Sequence, residues 1–269
     1  LNRKQTEILR ILGKFKFLDY EQMIRLGVDK YKPNIAKLIK DLRDSRQPLV
    51  AKIPHSFSEK AVYYLTKLGA ETLLETERFE DNALIHFPKS LITRNTQDAV
   101  HRSMLIDIQI TLELASKDKC EIILCDRYFD KTILQKDLKA QTAILFEKDK
   151  KLIPDMNFIL KTDSGLELFL VELERHNHKK KALEKAMQHA KALLLGSANK
   201  LYDYNKAYRI LFIFEEKKLY DSTLNELQKD SYYSNLQEYF LFKTLDEISS
   251  NDFFEGWISL SGNHRKMYY

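Results

Sequence analysis

Three carboxylates, Asp155, Glu172 and Glu174, fall within "LIPDMNFILKTDSGLELFLVELERH", residues 152–176. Glu172 and Glu174 are two apart in an apolar run. On a β-strand both leave the same face, the face that carries Leu168 and Leu170. Asp155 follows Pro154 and precedes a second apolar run, 156–160, with a turn at 161–165 between the runs. If the two runs form a hairpin, Leu160 pairs near Leu166 or Glu167, and Asp155 lies opposite Val171 or Glu172. Three carboxylates brought together repel, and a divalent cation relieves the repulsion. Oxygen-only donors suit a hard ion, Mg²⁺ or Mn²⁺. Such an ion lowers the pKa of a bound water and neutralises charge growing on a phosphate, which is what cutting a phosphodiester needs. Lys181 and Lys185 follow closely enough to add a cation. The plainer alternative is a solvent-facing strand end whose carboxylates pair with Arg175 and the lysines after it.

The elements that must hold these residues can be read on either side of them. A helix is expected from Gln97 to about Ala115, with Met104, Leu105, Ile108, Leu112 and Ala115 as its stripe. Strand candidates follow at "EIILCDRYF", "TAILFE", "MNFIL" and "LELFLVELE". A long helix covers 179–195, "YRILFIFE" reads as a buried strand, a helix lies near 219–229, and "EYFLFKTL" reads as the last strand. This alternation describes an α/β (α+β) sandwich around a mixed sheet flanked by helices.

The first 75 residues have a different pattern. Residues 2–15 are helical. Asp19 with Gln22 three residues later makes a capping box for a helix that ends at Gly27. Pro33 opens a third helix. "PLVAKIP" and "KAVYYLT" are two strands around "HSFSE", and "KLGAETLLE" is a return helix. Three helices, a hairpin and a return helix make a winged helix-turn-helix, whose third helix enters the DNA major groove while the wing touches the backbone. The domains expected are 1–78 for this DNA-binding unit, 79–96 for a polar connector and 97–269 for the α/β unit.

Charge is distributed accordingly. Residues 1–75 hold 15 Lys+Arg against 9 Asp+Glu, and the remainder 29 against 30. Residues 175–218 hold 11 basic and 4 acidic groups. Two basic regions suit a polyanion such as DNA. The candidate contacts are Lys37, Lys40, Arg43, Arg46 and Lys52 in the first region, and His176, Lys179 and Lys180 in the second. Cys120 and Cys125 are expected as buried free thiols of a reducing, cytoplasmic compartment. No apolar run is long enough to span a membrane. There is no phosphate-binding GxxxxGK[ST] loop and no CxxC zinc pair. "HNH" at 176–178 has Asn177 where a His-hydrophobic-His metal motif needs an apolar residue. Tyr202 and Tyr204 are two of fourteen tyrosines, and neither stands out as a covalent nucleophile.

Pro154-Asp155, then Glu172-Leu173-Glu174, resembles the motif of PD-(D/E)XK nucleases. Those enzymes usually carry Lys where Glu174 stands, so Lys181 or Lys185 would replace that cation at the scissile phosphate. Gln188 resembles the auxiliary glutamine of some branches. A winged helix followed by such a domain is similar to the replication-relaxation family, which includes MobC-type plasmid relaxases. The resemblance rests on "YYLTKLGAETL", "HRSMLIDIQI" beginning at His101, the "PD…FLVELE" hairpin and Trp257. It implies a site- and strand-specific DNA nickase acting at an origin of transfer or replication, with Mg²⁺ or Mn²⁺ held by Asp155, Glu172 and Glu174. Double-stranded plasmid DNA with a locally single-stranded nick region would be the partner, alongside other mobilisation or coupling proteins. The alternatives are a non-catalytic replication initiator or mobilisation accessory protein, and, less well served by the triad, a transcription regulator with a sensory domain.

Overall fold

A computed structural model describes residues 1–53, 60–77, 85–88, 98–134, 137–148, 150–175, 178–250 and 252–268. The chain divides into two compact units, Leu1–Ile110 and Thr111–Tyr269. The expected "HSFSE" loop, His176 with Asn177, and most of the expected connector lie outside the described residues.

In the first unit, helix α1 (Arg3–Phe15) is capped by Asn2 and buries Ile8, Leu9, Leu12 and Phe15. Helix α2 (Tyr20–Arg25) starts at the expected capping box. Gln22 N donates to Asp19 Oδ1 at 2.9 Å, and Asp19 N donates to Gln22 Oε1 at 3.0 Å. Gly27, at φ +83°, follows the end of α2. Helix α3 (Lys32–Arg43) has Pro33 in its first turn and buries Ile35, Ile39 and Leu42. Strands β1 (Val50–Lys52) and β2 (Tyr63–Leu65) pair antiparallel, and α4 (Lys67–Glu77) returns. The expected order of elements holds. Helix α5 (Ala99–Ser116) begins in this unit and runs into the next.

The second unit is built on a seven-stranded mixed sheet. Its strands are β3 (Glu121–Arg127), β8 (Met156–Thr162), β9 (Gly165–Glu174), β10 (Arg209–Phe214), β11 (Phe240–Thr244), β12 (Trp257–Ser259) and β13 (His264–Arg265), adjacent in that order. β3, β8 and β9 form an antiparallel meander, and β10 and β11 continue parallel to β9. "EYFLFKTL" is therefore not the last strand; two short strands follow it. "TAILFE" also lies elsewhere. Among the described residues its strand β6 (Ile144–Glu147) pairs with β7 (Lys150–Leu152) in a two-stranded ladder apart from the main sheet, and β4 (Lys131–Leu134) pairs with β5 (Asp137–Ala140) in another. One face of the sheet, with Ile159, Leu168, Leu170, Ile210, Phe212 and Phe242, packs under helices α6 (Lys179–Leu194), α7 (Ser197–Tyr202) and α8 (Lys217–Lys229). Ala182, Ala186 and Ala190 line the inner face of α6. Their small side chains let the helix backbone approach a sheet rich in phenylalanine. Among the described residues no helix is long and apolar enough to cross a membrane.

Candidate functional site

The hairpin register places the three carboxylates. Leu160 pairs with Glu167 and Met156 with Val171, so Asp155 comes next to Glu172. Asp155 is held by its backbone on two sides. Its N–H donates to Val171 O at 2.9 Å, and its carbonyl accepts from Tyr128 N at 2.9 Å. Its side-chain Oδ2 accepts from Leu173 N at 2.8 Å. The proline before it, Pro154, is buried.

Glu172 is 1% exposed and Glu174 is 8% exposed, which removes the solvent-facing alternative. Arg175 pairs with Glu215. The partners of Glu172 come from α6 instead. Lys185 Nζ donates to both Glu172 oxygens at 3.2 Å and to Ile153 O at 3.0 Å. His189 Nε2 lies 2.6 Å from Glu172 Oε1. With Glu172 ionised, the imidazole proton belongs on Nε2. His189 is fully buried, edge-on to Phe212, and its Nδ1 has no hydrogen-bond partner. Lys181, Lys185 and His189 are successive i, i+4 residues, so they form one stripe of the helix. Lys181 is exposed and acts on Glu174 through its charge rather than by contact.

Burial, then Glu172 and Asp155, push the Glu174 pKa up to about 7. Burial alone would pull the Lys185 ammonium down, but Glu172, Asp155 and Glu174 outweigh it and hold its pKa above the usual range. The cluster is thus short of positive charge, and Lys185 is the cation that answers it. The donors are all carboxylate oxygens, and excess negative charge in a poorly solvated place is what a hard divalent ion relieves. The residues present fit such an ion in their chemistry. Among the described residues, no three such side chains already close around one point as ligands.

Of the other candidates, Gln188 turns to a groove beside β6 and β7, and His189 reaches the carboxylates in its place. Lys179 pairs with Glu226 at 2.8 Å, and Lys180 is exposed. The Tyr202 hydroxyl accepts from Asn157 Nδ2 at 2.7 Å, and burial raises its pKa, so it is held as a phenol rather than an activated nucleophile. Trp257 is fully buried, and its Nε1 donates to Phe253 O. His101 is half-buried within α5. In the first unit, Lys37 and Lys40 are exposed on one side of α3, and Arg46 is exposed just beyond it. Arg43 is half-buried against Asp44, and Lys52 is half-buried on β1. Both thiols are free and half-buried.

Comparison with family models, curated proteins and solved structures gave no match for this chain.

Proposed function

We propose that the chain is a metal-dependent DNA nickase of the plasmid relaxase type, acting at an origin of transfer or replication. The observation that carries this is the convergence of Asp155, Glu172, Glu174 and Lys185 at one end of the β8–β9 hairpin. The surrounding order supports it: helix, antiparallel meander, helix, parallel strand, as in a PD-(D/E)XK-like domain. The N-terminal order of elements, with exposed Lys37, Lys40 and Arg46 on and beside its third helix, supports a winged helix-turn-helix that holds the origin duplex.

Asp155, Glu172 and Glu174 would hold Mg²⁺ or Mn²⁺, which when bound supplies charge neutralisation and an acidified water. The protein's own groups do the rest. Glu174, as a further ligand or as a neighbour of the site, orients the attacking water, whose proton passes to solvent. The water oxygen forms the new bond to phosphorus, the bridging P–O bond breaks, and the leaving oxygen takes a proton from solvent. Lys185, paired with Glu172, supplies the charge in place of the family's usual lysine and contacts the scissile phosphate. His189 orients Glu172.

Supercoiled plasmid carrying the cognate origin, incubated with Mn²⁺ or Mg²⁺, tests this. The wild type should produce open circles only with metal, and Asp155→Ala and Glu172→Gln should produce none. No open circles from the wild type, or equal nicking by the variants, would overturn it. The second reading is a non-catalytic initiator or accessory protein. It is favoured by one observation: both Glu172 oxygens are engaged by α6, and Glu174 stands where a lysine is usual.

A further inference from the structure

A second feature of α6 is unused by the carboxylate site. Beside the Lys181–Lys185–His189 stripe, Glu184, Met187, Gln188 and Lys191 face the β6–β7 ladder across a groove of about 400 Å³, completed by Phe146, Lys150 and Lys151. The floor is apolar, with Phe146 8% exposed and Met187 half-buried. Three lysines stand around it. Glu147 holds two of them, pairing with Lys150 and lying 4.0 Å from Lys191. Lys151 is exposed. None of the three carboxylates lines the groove, but the chain joins the two. Strand β7 leads directly into Ile153-Pro154-Asp155, and Lys185 bridges Ile153 O to Glu172.

We infer that this groove binds single-stranded DNA next to the cut, with phosphates on Lys150, Lys151 and Lys191 and a base or sugar over Phe146 and Met187. A cationic rim over an apolar floor is how sequence-tolerant single-strand sites are built. Pockets of roughly 300–1,000 Å³ enclose ligands of drug size, which is one or two nucleotides and not a duplex. Its place beside the scissile phosphate rests on the nickase reading, whereas the binding itself does not.

The test is fluorescence anisotropy of a labelled oligothymidylate of about 12 nucleotides, a length in the range of single-strand sites. The full chain is used in an Asp155→Asn background, so that no strand is cut, over a series of salt concentrations. Lys151→Glu with Lys191→Glu should weaken binding at least tenfold. The slope of log affinity against log salt should flatten by about 1.4, at roughly 0.7 per phosphate contact on a single strand. Lys218→Glu with Lys229→Glu, the same charge change on α8, should leave affinity and slope unchanged. Glu147→Gln should tighten binding two- to threefold by releasing Lys150 and Lys191. Circular-dichroism melts establish that each variant is folded. Unchanged affinity and slope in the Lys151/Lys191 variant would overturn the proposal. So would competition by thymidine monophosphate at the oligonucleotide's own concentration, which would mark a mononucleotide pocket. Failure to nick with the groove's binding intact removes the nickase reading alone, and nicking with binding insensitive to the groove variants removes this inference alone.

Discussion

Glu174 carries a proton in the folded chain at a pH where the unfolded chain has lost it. Its pKa rises from 4.5 to about 7, through burial first and then the charges of Glu172 and Asp155. Between those values the folded state binds more protons than the unfolded state, so stability falls as pH rises. The contribution is fully present below about 4.5 and gone above about 7. In metal-free protein, Glu174→Gln should therefore be more stable than the wild type at pH 8, by up to about 3 kcal/mol at roughly 1.4 kcal/mol per pKa unit. The gap should close below pH 4.5. Urea unfolding at both pH values measures it, and an equal difference at both would show that the glutamate is not strained by its neighbours. The three carboxylates were legible in the sequence because a strand's period of two leaves little freedom: once the turn at 161–165 is placed, Asp155 falls opposite Val171 or Glu172, and the observed register selects Glu172. His189 was not legible. A histidine among lysines has no signature of its own, and the available signal was its spacing of four from Lys185 and eight from Lys181, which only a partner strand makes meaningful.

Elements were legible where their pattern was long or their ends were chemically marked. Asp19 with Gln22, Pro33 and the α6 periodicity each gave the right helix. The ladder β4–β5, strand β7 and the pair β12–β13 were not, because strands of two to four residues carry too little alternation to separate them from loops. "TAILFE" was legible as a strand but its partner was not, because its apolar run fits the main sheet as well as a separate ladder. The Thr66-x-x-Gly69 pattern was legible as a motif, and the structure supplies its cause. Thr66 Oγ1 accepts from Gly69 N at 3.0 Å and donates to Pro48 O at 2.8 Å, tying α4 to the segment before β1. A Cβ on Gly69 would meet the backbone oxygen of Leu49 at 2.0 Å, with no flexible side chain to give way. Gly69→Ala should cost on the order of 2–4 kcal/mol, in the range of substitutions that force the backbone apart. A thermal melt reads this directly. A loss within about 0.5 kcal/mol, as at an unconstrained surface site, would mean that α4 shifts freely.

At the scale of the whole molecule, the net positive charge lies in the N-terminal part and the carboxylate cluster in the second unit. Residues 1–75 carry a net charge of +6, and the remainder −1. If the first unit supplies origin affinity and the second supplies cutting, the two can be lost separately. Lys37→Ala with Lys40→Ala removes two exposed cations from one side of α3 while leaving its buried Ile35, Ile39 and Leu42 in place. Each lysine that touches a phosphate of duplex DNA contributes about 0.9 to the slope of log affinity against log salt. The double variant should therefore bind origin duplex more weakly and flatten that slope by close to 2. Lys185→Met should leave both duplex affinity and slope as they were and abolish nicking. Because the α3 variant loses occupancy and not chemistry, its nicking rate should recover to the wild-type value at saturating protein, whereas that of Lys185→Met should not. Rates measured across a protein titration at two salt concentrations separate these cases. An α3 variant that stays slow at saturation would show that the helix takes part in the cut itself, and one whose duplex affinity is unchanged would assign origin binding elsewhere in the chain.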